Sequence, residues 1–486
     1  MFLSTFRFAL AVGSAAGPGA DSRAPAAQPS AVAIVDVTVV DVEQGRLVPH
    51  QTVVIAGNRI VAVGPAGGAV VPGSARRIDG RGKYLIPGLW DMHVHAATPW
   101  FGDYFMPALV AHGVTGVRDM FTTAAAVAEW RRRVTSGEWP GPRVGGYGQL
   151  VDGDPPIWPG SVVAKTPEDG IRIVDSMKAV GADFVKVYSR LDPETFAAIA
   201  KRAREVGIPF AGHVPSMVRP ADAARAGMST VEHLQQALQG CSSREEAALA
   251  EYTDAARSPR RWDSASVVSR RQVAEYLAAQ DLDRCRALGK VFAASGTWMV
   301  PTLTVLRSIS HLDDTSLATD PRLEYVPRFL KSGWNPASDF RFRMLTPADW
   351  ALRRKVYARQ LEVVRIFREA GVRFLAGTDL ANPYIFAGAS LHDELALFVA
   401  TGFSPTEALR AATIEPARYL RMSDSLGTVA VGKVADMALL DADPLANIEH
   451  VRRVSVVIAD GRVYDEAARA KILADAKRRA AAAPGQ

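Results

Sequence analysis

At 486 residues the chain exceeds what one compact unit usually holds, so a large domain with a smaller companion is expected. With 48% hydrophobic and 22% charged residues, the composition is that of a globular protein with a sizeable core. A net charge of +6 is mild at this length, and no Lys/Arg block is interleaved with aromatic residues, which argues against a nucleic-acid partner.

The first thirty residues carry Arg7, a short apolar stretch at 8–12 and a Gly/Ala/Ser/Pro-rich run ending near Ser30. This pattern resembles a weak secretory signal with a linker and points to a secreted or periplasmic protein. A plain N-terminal tail on a cytoplasmic protein is the other reading. No later run approaches the roughly 20 apolar residues needed to cross a membrane, so no membrane partner is expected. From residue 32 to 84 short alternating strands follow: AVAIVDVTVVD, QTVVIAG and RIVAVGP, with turn residues such as Gly57 and Asn58 between them. The same style returns late in DMALLDAD and VSVVIADGRVYD, which suggests one small β-domain assembled from both ends of the chain.

Between these flanks strands and helices alternate. Eight apolar, β-rich runs stand at residues 84–89, 114–118, 143–150, 183–188, 208–214, 230–234, 298–305 and 373–379, with helical stretches between most of them, such as 193–206 and 350–370. Eight such repeats predict an α/β fold, a TIM-like (β/α)8 barrel. The expected division is a signal and linker at 1–30, a β-sandwich from 31–84 plus 427–466, a barrel over 85–426 and a C-terminal helix at 467–486. That last helix is rich in Ala, Lys and Arg and reads either as a solvated tail or as a packing element. Two long excursions, 242–271 and 307–347, read as lids over the catalytic face or as decoration of the outer surface. Cys241 and Cys285, the only cysteines, lack CxxC spacing, which excludes a thiolate metal cluster; one bridge and two free thiols both remain open.

Four of the nine histidines fall at the C-terminal end of a predicted strand: His93 and His95 in LWDMHVHAA, His213 in PFAGHVPS and His233 in TVEHLQQ. Strand ends on that face of a barrel converge on the active site, and residues i and i+2 of a strand point the same way. Neutral imidazole is the common ligand of zinc-like ions. Asp379 closes the last predicted strand in RFLAGTDL, where a carboxylate must be solvated, paired or bound to a metal. Lys186 sits within the apolar strand DFVKVYS, where it either snorkels to solvent, pairs with a carboxylate, or is carbamylated by carbon dioxide. Tyr188 points to the same side of that strand and is a candidate oxyanion donor or a packing residue. His112 and His392 read as structural, and Arg118 with Asp119 as a local ion pair.

The constellation resembles the amidohydrolase superfamily, whose hallmark stands here as GKYLIPGLWDMHVH, Gly82 to His95. The resemblance extends over roughly residues 32–464, and the order HxH, Lys, His, His, Asp is similar to its binuclear branch. HGVTGVRDM, FVKVYS, VPTLTV, LAGTD and GASLHDELALFVATGFSPTEALRAAT are similar to an imidazolonepropionase-related, prolidase-like subgroup that includes Xaa-Pro dipeptidases and ochratoxin-splitting amidases. The resemblance implies hydrolysis of the amide bond of a dipeptide or N-acyl amino acid by a metal-bridging hydroxide. It also implies two divalent ions, zinc for preference, and assembly into a homo-oligomer. By the same resemblance His93 and His95 hold the more buried metal, His213 and His233 the more exposed one, Lys186 is the N6-carboxylated bridge, and Asp379 is both ligand and proton shuttle. A lactone, cyclic amide or phosphotriester is the alternative substrate, since the same metal pair serves it.

Overall fold

The computed structural model describes residues 31–483, so the expected signal and linker lie outside the described residues. Ala31–Asp41, Arg46–Ala56 and Arg59–Pro65 form an antiparallel meander, and the predicted Gly57–Asn58 pair is the two-residue turn between its last two strands. Met437–Leu440, Val454–Ala459 and Arg462–Tyr464 form a second antiparallel set. Tyr84–Pro87 joins the two sets, running antiparallel to Met437–Leu440 and parallel to Ala31–Asp41. One sheet is therefore built from both chain ends, with its own core that includes Ile34, Val53, Ile55, Leu85, Met437 and Ile458.

The sequence places residues 84–89 in a single barrel strand, and the structure divides them. Tyr84–Pro87 belongs to the chain-end sheet and Leu89–Val94 opens the barrel. Gly88 is the crossing point: its N–H donates to the Asp436 carbonyl at 2.8 Å, and a Cβ there would stand 2.0 Å from the Thr115 hydroxyl. Only glycine lets the chain pass between the two sheets so closely.

Seven barrel strands then pair in parallel and in sequence order: Leu89–Val94, Val114–Asp119, Arg143–Asp152, Phe184–Val187, Phe210–Gly212, Thr230–Glu232 and Trp298–Val300. The predicted eighth, 373–379, closes the barrel without becoming a regular strand. Met92 N–H donates to the Ala376 carbonyl, Leu375 N–H to Met299 and Asp379 N–H to His93, while isolated bridges join Phe374 to Met299 and Leu380 to Val94. The segment cannot run on as a ladder, because Asp379 adopts a left-handed φ of 61° and Thr378 spends its N–H and hydroxyl on Asp91.

Helix Pro193–Val206 has the bounds that the sequence predicts: the Asp192 carboxylate accepts from the Thr195 N–H at its start, and Gly207 takes the left-handed position at its end. The predicted 350–370 helix is Pro347–Glu369, beginning a turn earlier at a Thr346/Asp349 capping box. The first excursion folds into helices Glu245–Arg257 and Arg261–Ala278, and the second into Leu303–Ser310 followed by short turns of helix. Cys241 and Cys285 form a disulfide, tying the start of the first excursion to helix Leu282–Ser295, which leads back to the barrel. Helix Glu466–Ala482 buries Ile472, Ala476 and Ala480 and packs against helix Gly102–Ala111, so it is a packing element. Among the described residues no helix is long and apolar enough to cross a membrane.

Candidate metal centre and active-site cavity

The first barrel strand carries Asp91 and His93, and His95 follows directly at its C-terminal end. His93 is fully buried, and its Nδ1 lies 2.7 Å from a carboxylate oxygen of Glu232, so that nitrogen donates and Nε2 presents its lone pair to the barrel interior. That Nε2 is 3.3 Å from Lys186 Nζ and 3.4 Å from Asp379 Oδ1. His95 Nε2 lies 2.9 Å from the same oxygen. His233 Nδ1 stands 2.7 Å from the Thr302 hydroxyl, whose own proton goes to the Pro301 carbonyl; Nδ1 therefore donates, and Nε2 is free. His213 is held through Nδ1 by Ser189 at 2.9 Å and lies under the ring of Tyr188, centroids 3.9 Å apart.

The structure therefore brings His93, His95, Lys186, His213, His233 and Asp379 together, with Tyr188 beside them. All but His93 line one cavity of about 910 Å³ at the C-terminal strand ends, and His93 closes its floor. Burial pushes the His93, His213 and His233 imidazoles below their ordinary range, which leaves them neutral, the form that binds metals. Lys186 is 1% exposed, and burial pulls its amine down to about 8.

Donor atoms of His93, His233 and Asp379 lie within 4.8 Å of one another. Asp379 Oδ1 is buried 2.9 and 3.4 Å from two imidazole nitrogens without a well-aligned hydrogen bond to either, and His95 Nδ1 is buried without a partner. Lone pairs from neutral imidazoles and a carboxylate that converge without bonding one another fit a divalent cation.

Tyr188 accepts a hydrogen bond from Trp158 Nε1 at 2.8 Å, which leaves its phenolic proton free. Burial raises the Tyr188 phenol, so it stays protonated. His112 and His392 are structural: the first bonds the Ala108 carbonyl and the second the His112 carbonyl. The expected Arg118–Asp119 ion pair does not form, because adjacent strand residues face opposite ways. Arg118 instead crosses the barrel interior to Glu232 at 2.9 Å and to the Met92 carbonyl at 2.7 Å, while Asp119 accepts the N–H groups of Ala96, Ala97 and Phe121.

Sequence reasoning missed Glu232 and Asp91. Both are fully buried: Glu232 aims His93, and Asp91 fixes Thr378 next to Asp379, its carboxyl raised by burial to about 7. The signal was present, since each is a carboxylate inside an apolar strand one or two residues from a candidate ligand.

Residues 84–464 match the amidohydrolase family. The chain belongs to that family. Among solved structures, this amidohydrolase chain is similar to bottromycin amidohydrolase, 24% identical with a TM-score of 0.72, covering 93% of this chain and 91% of that one. It is also similar to a Xaa-Pro dipeptidase with methionine bound in its active site, 20% identical with a TM-score of 0.62, covering 90% and 100%. At these identities the likeness carries the fold. Among curated proteins, a stretch of 77 residues is 35% identical to adenine deaminase 3 of Rhizobium meliloti; it is 16% of this chain and covers 13% of that relative's length.

Proposed function

We propose that this amidohydrolase is a metal-dependent hydrolase that cleaves the amide bond of a dipeptide or N-acyl amino acid. The observation that carries the reading is the convergence of three imidazoles, one carboxylate and one buried amine in a single strand-end cavity, with the His93 imidazole directly beneath them. His93, His95 and Asp379 would hold one divalent cation and His213 with His233 a second, zinc suiting such a donor set. Bound cations supply Lewis acidity and lower the pKa of a water molecule. Lys186 is close enough to neutrality for its amine to add to carbon dioxide, releasing a proton and leaving an N6-carboxylate that would bridge the two positions.

The chain's own residues do the rest. Asp379 accepts the proton of the attacking water and passes it to the departing amine. Tyr188 donates its free phenolic proton to the oxygen that gains charge as the carbonyl becomes tetrahedral, and Trp158 holds it in place from behind. Glu232 and Thr302 fix the tautomers of His93 and His233.

A panel of N-acyl amino acids and dipeptides, assayed with zinc, cobalt or manganese, tests the reading; hydrolysis of at least one amide is expected. No turnover of any amide rejects it in favour of a lactone, cyclic amide or phosphotriester. Lys186→Ala is expected to abolish activity and reduce bound metal towards one ion per chain. Elemental analysis that finds two tightly held ions in that variant excludes the bridging role.

A further inference from the structure

A second chamber of about 380 Å³ adjoins the donor cavity and shares Ser269, Val273, Arg341 and Val356 with it. It runs between helix Arg261–Ala278 and the start of helix Pro347–Glu369, and Ser189, which holds His213, lies in its wall. Four guanidinium groups line it, those of Arg190, Arg270, Arg341 and Arg353, against the single carboxylate of Asp349.

One oxygen of that carboxylate, Oδ2, accepts the Thr346 N–H and hydroxyl at the helix cap, so a single acid faces the cluster and is partly used by its own helix. Arg341 is neutralised by a two-pronged bond to Asp339. Arg190, Arg270 and Arg353 make no ion pair among the described residues. Arg190 lies over the Trp262 ring at 4.8 Å and donates to the Pro155 carbonyl; Asp152, whose charge acts on it, accepts the N–H groups of Gly153, Ile157 and Arg190. Arg353 rests on the rings of Phe342 and Trp350 at 5.2 and 5.9 Å. Burial lowers the Arg353 guanidinium; the charge of Asp349 opposes that shift, and those of Arg341 and Arg270 add to it.

Guanidinium groups gathered on aromatic faces in a cleft, with a single acid facing them, are poised for a planar anion. We propose that this chamber binds a carboxylate of the substrate remote from the scissile amide, so that the enzyme prefers acidic peptide-like substrates. The proposal rests on the amide-hydrolase reading for its substrate class.

The test compares peptides that differ only in charge: glutamyl-leucine with glutaminyl-leucine, and leucyl-glutamate with leucyl-glutamine. Calorimetric binding is measured on full-length Asp379→Asn protein, and turnover on the wild type. In at least one pair the acid is expected to bind about tenfold more tightly, the worth of one charge-assisted contact. Arg270→Gln combined with Arg353→Gln is expected to erase that difference. Arg270 is exposed, so Arg270→Glu tests the same point without disturbing packing and is expected to reverse the preference. Acid and amide that bind alike, or alike fail to bind, overturn the proposal, as does a preference that survives both variants. Turnover keeps the two readings apart: cleavage without charge preference sinks the chamber alone, and charge preference without cleavage sinks amide hydrolysis alone.

Discussion

Behind the donor set at the cavity floor, three buried acids each have named partners. Glu232 is shared between His93 and Arg118, Asp91 is bonded by Thr378 and by the His93 N–H, and Asp119 accepts three backbone N–H groups. At the chamber wall Arg190, Arg270 and Arg353 make no ion pair among the described residues, although Arg190 donates to the Pro155 carbonyl. The floor is assembled from barrel strands, whose hydrogen-bond register places side chains to within fractions of an ångström. An unpaired charge there would cost several kcal/mol. The wall is assembled from the loop after the strand Phe184–Val187 and from two helices, with Arg270 exposed and Arg190 and Arg353 half-buried, where unpaired guanidiniums cost less than at the floor and remain available to a ligand. On the two proposals, the reaction falls to the barrel strand ends and the charge preference to the loop and helices around them.

Four substitutions can break or sharpen that contrast. Asp379→Asn removes the proposed proton acceptor and metal donor, so kcat should fall by about a thousandfold to ten-thousandfold; activity within tenfold of wild type would mean the floor is not the reacting site. Tyr188→Phe removes the phenolic proton and should lower kcat by about a hundredfold with KM little changed. A change confined to KM would make Tyr188 a packing residue.

Glu232→Gln keeps the shape but offers an amide NH2 to His93 Nδ1. The imidazole must then carry its proton on Nε2, facing the cluster. Metal affinity should drop by about 10- to 100-fold in a competition titration with a chelator, and unchanged affinity would detach Glu232 from the donor set. Phe340, 56% exposed and edge-on to Trp158, lies in the second excursion at the rim of the donor cavity, away from its floor. Phe340→Ala should raise KM by at most about tenfold and leave kcat unchanged; a loss in kcat would show that the rim takes part in the chemistry.

The barrel and the donor set were legible because both are local patterns. Strand–helix alternation recurs along the chain, and period two puts His93 and His95 on one side of a strand. The donors' partners were harder to read because they lie far away in sequence: Glu232 meets His93 across 139 residues and Thr302 meets His233 across 69. The eighth strand was legible as an apolar run, but its loss of regular pairing was not, since that follows from Asp91 capturing Thr378 across 287 residues.

By itself the sequence determined the alternation of elements, the candidate ligands at strand ends and the two-ended origin of the small sheet, because hydrophobic period and turn chemistry are local properties. The tertiary structure alone decided the crossing at Gly88, the Cys241–Cys285 bridge, the tautomers of His93 and His233 and the chamber of arginines. Each of these depends on which distant groups are brought within a few ångströms when the barrel closes and the excursions fold over its mouth.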